Sequence, residues 1–128
     1  MYRFVEHTAE LELELEADSA EGVLTEALAA FSELAGAGTG APIERTVDLE
    51  ASDPPALLAA WLDELLFLAD VEQLLPEAAN ITVSGSRVTG RLHLRYGDPR
   101  PLVKAATLHR LRFRPENGVW RGRVVLDV

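Results

Sequence analysis

Strict alternation from Glu10 to Glu16, Glu-Leu-Glu-Leu-Glu-Leu-Glu, constrains the fold of this chain more than any other segment. A period of two is typical of a β-strand with one apolar and one polar face. The leucines are therefore expected to face a core, and the glutamates to face solvent. Carboxylates two residues apart on an open strand point in parallel and do not converge. The row predicts a solvated face rather than a metal site.

The remaining sequence alternates between helical and strand-like segments. A capping pair, Asp18-Ser19, predicts a helix that runs to about Leu34, and a second capping segment, 52–55, predicts a helix that runs to about Asp70. Further strands are predicted at Arg45–Ala51, Asn80–Ser84, Arg87–Tyr96, Leu102–Arg114 and Val119–Val128. The order β-α-β-α-β-β-β-β predicts an α+β fold, in which two helices pack on a predominantly antiparallel β-sheet system. Residues 1–128 are expected to form a single domain.

The composition is that of an ordinary soluble globular protein, since 48% of the 128 residues are apolar and 26% are charged. There is no cysteine, which excludes disulfides, a thiol nucleophile and Cys-ligated zinc. No apolar run reaches the ~18 residues of a membrane span, and the first residues lack the apolar core of a signal peptide. We therefore expect a cytoplasmic protein without membrane contact.

The net charge of −9 conceals an asymmetry along the chain. Residues 1–99 carry 5 basic and 19 acidic side chains, whereas residues 100–128 carry 7 basic and 2 acidic side chains. Affinity for a nucleic-acid backbone comes mainly from Lys and Arg that neutralise phosphates, so no stable direct nucleic-acid binding is expected. The basic segment is either a solvated sheet face or a surface that docks an acidic partner or a phosphate.

The dipeptide Asn117-Gly118 predicts a tight hairpin between the last two strands. A two-residue turn would place Leu108 opposite Asp127 and Arg112 opposite Arg123. The alternation of side chains then puts Asp127 on one face with five basic residues, namely Lys104, Arg110, Arg112, Arg121 and Arg123.

Both ends of the chain carry compact acidic groups. Asp127 stands beside the free carboxylate of Val128, and Glu10 closes the polar segment 6–10. Carboxylate oxygens are hard ligands that favour Ca²⁺ or Mg²⁺ over zinc. The combination predicts that the two ends meet at one acidic metal-binding site. No complete catalytic motif accompanies it, and the roles of three further polar residues stay open: His7, Glu64 and His109.

Four segments, in order and spanning nearly the whole chain, resemble the archease family. They are Phe4-Val5-Glu6-His7-Thr8-Ala9-Glu10, Trp61-Leu62-Asp63-Glu64-Leu65-Leu66-Phe67-Leu68, Val103-Lys104-Ala105-Ala106-Thr107-Leu108-His109 and Val124-Val125-Leu126-Asp127-Val128. The first segment departs from the family pattern, which usually reads His-Thr-Ala-Asp, because this chain has Glu10. The longer side chain adds one methylene and one rotatable bond to the carboxylate.

The resemblance implies a non-enzymatic protein cofactor. Such a protein promotes guanylylation and multiple turnover of a GTP-dependent RNA ligase in tRNA splicing or RNA repair. The resemblance also implies a divalent cation bound by Glu10, Asp127 and the Val128 carboxylate, and an essential lysine at Lys104. We expect the cation to be Ca²⁺, with Mg²⁺ or Mn²⁺ as alternatives.

Two other functions stay open from the residues alone. A stand-alone metal-dependent phosphoester hydrolase would use Glu10 or Asp127 as a base, and would turn over substrate without a partner. A general chaperone or RNA-binding module would bind RNA with a steep dependence on salt. The acidic net charge of −9 and an aromatic content of 6% argue against the RNA-binding module, since bases stack on aromatic side chains.

Overall fold

A computed structural model describes residues 1–7, 10–100 and 105–127. Within these residues there are two helices and seven strands, in the order β-β-α-β-α-β-β-β-β. They are β1 (Tyr2–His7), β2 (Glu10–Ala17), α1 (Ala20–Ala35), β3 (Pro42–Glu50), α2 (Pro54–Glu72), β4 (Leu74–Ser84), β5 (Arg87–Tyr96), β6 (Ala105–Glu116) and β7 (Val119–Asp127). The predicted α+β class, with two helices on antiparallel sheets, is confirmed. The order gains one strand, β1, at its start.

The strands form two antiparallel sheets joined by the helices. The first sheet has the order β1-β2-β7-β6 and the second β3-β5-β4. Helix α1 contacts β2 in the first sheet and β4 in the second, while α2 contacts β6 and β4. The buried apolar side chains consequently form one continuous cluster that both sheets and both helices line. Strand β6 is left at the edge of the first sheet.

Both helices begin where capping residues predict. Ser19 accepts a hydrogen bond on Oγ from the amide of Gly22 at 3.0 Å, and Asp53 accepts one on Oδ1 from the amide of Ala56 at 2.8 Å. The fully buried Trp61 donates from Nε1 to the carbonyl oxygen of Leu24 at 2.9 Å, which ties α2 to α1. Neither of the helices in the described residues combines the length and apolar character that a membrane span requires.

The largest differences from the predicted strands are at β1 and β4, while β3 begins three residues early, at Pro42, and β6 ends two residues late, at Glu116. Strand β1 pairs with β2 along its whole length, from Tyr2 opposite Leu15 to His7 opposite Glu10. The segment lacks the strict alternation of β2, so periodicity does not mark it as a strand. Strand β4 begins at Leu74, six residues before the predicted start, and its pairing with β5 is irregular between Pro76, which has no N–H to donate, and Ala78.

Candidate functional site

The strand register brings the two predicted acidic ligands together. Glu10 lies opposite His7 on β1 and opposite Asp127 on β7, and Asp127 lies opposite Ala105 on β6. Residues directly opposite in an antiparallel pair have Cβ atoms about 5 Å apart. We call this row of four residues the acidic row. Val128 and Lys104, the other two predicted site residues, lie outside the described residues.

The acidic row offers oxygen ligands suited to a hard cation. Glu10 is half-buried and Asp127 is exposed at the end of the sheet. Two carboxylates give a partial coordination shell, which water or the Val128 carboxylate would complete around Ca²⁺ or Mg²⁺. Within residues 1–7, 10–100 and 105–127, no group of three or more metal-ligating side chains is close enough to hold an ion.

The hairpin between β6 and β7 is partly as predicted. Asn117 and Gly118 form the turn with φ angles of 52° and 83°, and Arg112 lies opposite Arg123 as expected. The prediction that Leu108 lies opposite Asp127 is wrong, because the register shifts by three residues between Thr107 and Arg112. Ala105 takes that position instead. A register shift of this kind depends on the rest of the sheet and has no signal in the turn sequence.

Charged side chains follow the register in rows across one face of the first sheet. Three further rows follow the acidic row along the strands. The first contains Glu12. The second contains Arg3, Glu14, Arg123 and Arg112 side by side, and the third contains Glu16, Arg121 and Arg114. We call this surface the charged face. Alternate residues on a strand are about 6.8 Å apart, so the face runs from an acidic end to a basic end over about 20 Å. The predicted grouping of Asp127 with Arg112, Arg121 and Arg123 on one face is confirmed.

The expectation that all four glutamates of β2 face solvent is wrong for Glu12. Only 5% of its surface is exposed. Arg110 and Arg123 approach its Oε1 at 3.7 and 3.9 Å, distances that permit electrostatic attraction but no hydrogen bond. The alternation of β2 distinguishes two faces, but it carries no information on how far neighbouring strands cover the polar one.

Glu14 of β2 forms a short ion pair with Arg3, the residue opposite it on β1. Arg3 donates to Oε2 of Glu14 at 2.6 Å. This hydrogen bond lowers the pKa of Glu14 below its ordinary value of 4.5, and burial opposes the shift. The charged form of Glu14 is thus favoured in the folded state. Arg3 is 66% exposed, so the expected contribution to stability is under about 1 kcal/mol.

Replacing Arg3 by glutamine should remove a pH-dependent part of the stability. The pKa of Glu14 is lower in the folded state than in the unfolded state. The stabilisation by the Arg3–Glu14 pair is therefore fully present at pH values above the unfolded pKa, and it disappears as the pH falls through the folded pKa. The free energies of unfolding of wild type and Arg3→Gln should therefore differ more at pH 7 than at pH 3. Urea titrations at both pH values measure this, with Arg3→Lys as the charge-retaining control. A difference that persists unchanged at pH 3 would contradict the assignment.

Asp63 on α2 has a role that the sequence does not reveal. Its Oδ1 accepts a hydrogen bond from the backbone amide of Ala106 at 3.2 Å, which fixes the start of the edge strand β6 to the helix. The only sequence signal is that an acidic residue interrupts an apolar helix surface, and exposed side chains give the same pattern. Glu64, its neighbour, is half-buried on α2 and belongs to none of the rows of the charged face.

Comparison with known proteins places the chain in a family. The model of the Archease protein family matches residues 2–128. The protein archease of Archaeoglobus fulgidus is 31% identical over 137 residues, which cover 99% of this chain and 98% of that protein. The solution structure of protein 1598 from Methanobacterium thermoautotrophicum is 29% identical with a TM-score of 0.80, and covers 99% of this chain and 98% of its own. The Thermotoga maritima crystal structure described as "an archease, possible chaperone" has the same fold, at 23% identity and a TM-score of 0.70, over 100% of this chain and 98% of that one. This chain belongs to the Archease protein family.

Proposed function

We propose that this chain is a non-enzymatic protein cofactor of a GTP-dependent RNA ligase. It would promote transfer of GMP to the ligase and so allow repeated turnover in tRNA splicing or RNA repair. The observation that carries the proposal is the pairing of Glu10 with Asp127 in a chain that belongs to this family. The resemblance of the same two positions to the family's cation ligands supports the functional assignment.

The acidic row would hold a bound divalent cation at one end of the sheet. Glu10, Asp127 and the Val128 carboxylate would hold the ion, and its positive charge would stabilise negative charge that develops on a triphosphate during nucleotidyl transfer. Lys104 directly precedes Ala105, the partner of Asp127 in β6. An ammonium group from this position would neutralise the same charge or contact the ligase. The remaining chemistry would belong to the ligase.

The decisive experiment is a GMP-transfer assay with radiolabelled GTP and the RNA ligase of the same cell. Adding this protein should raise the rate at which the ligase is labelled and allow many ligations per ligase molecule. The protein itself should carry no label. Label on this chain, or hydrolysis of phosphoesters by the purified protein alone, would favour the hydrolase alternative. A ligase that is unaffected would show that the proposal is wrong.

Ca²⁺ should stabilise the folded protein, and Asp127→Asn should remove that effect. Only the folded state brings Glu10 and Asp127 together, so cation binding raises the melting temperature by mass action. At a concentration of 100 Kd the gain is about 2.7 kcal/mol, or several degrees. Without Ca²⁺, Asp127→Asn should be as stable as wild type or slightly more so, because it removes repulsion between adjacent carboxylates. Melting curves in EDTA and in Ca²⁺ measure both effects.

A matched variant on the same strand tests the location of the ion. Glu16→Gln removes an equal charge at the opposite end of β2, where Arg121 lies 2.8 Å from its Oε1. This control should keep the Ca²⁺-induced shift. If the shift survives Asp127→Asn and disappears in Glu16→Gln, the cation binds elsewhere on the charged face. Glu10→Asp restores the residue that the family pattern usually has. The shorter side chain should increase the affinity for Ca²⁺ only if the site has the same geometry as in the relatives of this chain.

A further inference from the structure

The basic end of the charged face contains a groove that the ligase proposal does not use. The groove has a volume of about 550 Å³ and lies between the start of α2 and the edge strand β6. Its lining includes four arginines, namely Arg110, Arg112, Arg114 and Arg123, together with Pro54, Pro55, Leu111 and Phe113. Small-molecule sites commonly have volumes of about 300–1,000 Å³. We propose that this arginine groove binds a compact phosphoanion, either inorganic phosphate or pyrophosphate or the polyphosphate of a nucleotide.

The charge balance of the groove is positive. Within the described residues, ion pairs join its four arginines to two carboxylates. Oε2 of Glu116 lies 3.5 Å from Arg112 and 3.3 Å from Arg114, and Glu12 is shared between the other two arginines at 3.7 and 3.9 Å. Two positive charges therefore remain without a matching carboxylate in these pairs. A phosphate group with two negative charges would complete the balance.

The arginines of the groove also have unused hydrogen-bonding capacity. Among the described residues, the buried Nε of Arg123 makes no hydrogen bond, and neither does Oε1 of Glu12, which lies 3.9 Å from it. A guanidinium presents five N–H donors in a planar fork that matches phosphate oxygens. Arg112 lies directly opposite Arg123, and like charges in that arrangement repel. An anion between the two guanidinium groups would remove the repulsion and accept their hydrogen bonds.

The backbone conformation of Arg110 supports a binding site at the groove. Its φ angle is 54°, in the left-handed region that residues other than glycine seldom adopt. Arg110 lies where the register of β6 shifts, and irregularities of this kind redirect side chains near binding sites. The redirected guanidinium reaches Glu12 and lines the groove. Strain of this kind persists where the surrounding structure maintains it.

A compact anion fits the surroundings better than an RNA strand does. Residues 1–99 carry 19 acidic and 5 basic side chains, so a polyanion that extends beyond the groove meets a negative surface. At physiological salt, charges beyond about 8 Å are largely screened, and a small anion in the groove senses mainly the arginines. The start of α2 adds no free amide, because Pro54 and Pro55 lack N–H groups and Ala56 donates to Asp53. Binding would therefore depend on the guanidinium groups.

Calorimetric titration of the purified protein with inorganic pyrophosphate tests this proposal without the ligase. The buffer contains EDTA, which keeps the acidic row free of cations, and chloride holds the ionic strength constant. The double variant Arg112→Gln/Arg114→Gln, which removes two groove arginines that pair with Glu116, should weaken pyrophosphate binding at least tenfold. Arg87→Gln/Arg91→Gln on β5 makes the same change in net charge at two exposed arginines and should alter the affinity less than twofold. Arg110 and Arg123 are kept, because both lie beside the buried Glu12.

The outcomes separate the sources of the anion. Binding of GTP as tightly as pyrophosphate supports a nucleotide ligand, and binding of pyrophosphate without GTP supports a free anion. An equal loss of affinity in both double variants would show a general charge effect and overturn the proposal. So would pyrophosphate that binds no better than chloride, or a short single-stranded RNA that binds more tightly than pyrophosphate. None of these results depends on whether the protein stimulates a ligase.

Discussion

Lys104→Met is expected to lose most of the stimulation of the ligase, by about 10- to 100-fold in the rate of GMP transfer at limiting protein. The substitution keeps an unbranched side chain but removes the charge. Lys104 precedes Ala105 in the sequence, and Ala105 lies opposite Asp127 in the sheet. The fold should be retained, with a change in unfolding free energy within about 0.5 kcal/mol. The GMP-transfer assay and a urea titration measure the two quantities.

The composition of the chain allows a chemical control for this prediction. Lys104 is the only lysine, so acetylation modifies this side chain and the amino group of Met1. Reductive dimethylation modifies the same two groups but keeps their charge. Acetylated protein should lose stimulation and dimethylated protein should keep it, while acetylated Lys104→Arg isolates the effect of the terminal amine. Full stimulation by Lys104→Met, or equal losses after both modifications, would show that the charge of Lys104 is not what matters.

Most local structure of this chain could be predicted because its signals are local. Ser19 and Asp53 cap helices through atoms three residues away, and Asn117-Gly118 adopts the positive φ angles that a tight hairpin needs. The alternation of β2 identifies the leucines that enter the core. The chemistry of the two ends predicts in outline that Glu10 and Asp127 meet, and the register of β2 with β7 brings them together.

Features that depend on distant parts of the chain could not be predicted. The register shift in β6 places Ala105 rather than Leu108 opposite Asp127, although the turn is tight as expected. Glu12 is buried because arginines from two other strands approach it, and no property of β2 indicates this. Asp63 binds an amide 43 residues away in sequence. Each case requires the relative position of two elements, which the local pattern of neither one specifies.

Gly90→Ala should be among the most destabilising substitutions in the chain, by on the order of 4 kcal/mol. Gly90 lies in β5, the central strand of the second sheet, with Val47 on one side and Ile81 on the other. Its φ angle of 147° is one that side-chain-bearing residues rarely adopt. An added Cβ would overlap the carbonyl oxygen of Asn80 and lie 2.8 Å from the Cα of Ile81. Both are backbone atoms of a paired strand, so the clash cannot be relieved by a rotamer change.

Gly85→Ala is the matched control for this prediction, because it introduces backbone strain at a positive φ angle without a steric clash of the added Cβ. Gly85 is in the hairpin turn of the same sheet with a φ angle of 61°, and an added Cβ there meets no atom within 4 Å. Its replacement should cost about 1 kcal/mol from the left-handed conformation alone. Urea unfolding followed by tryptophan fluorescence should therefore show a much larger loss for Gly90→Ala than for Gly85→Ala. Equal losses would mean that β4 and β5 can separate at this point, and that the second sheet tolerates a side chain at its centre.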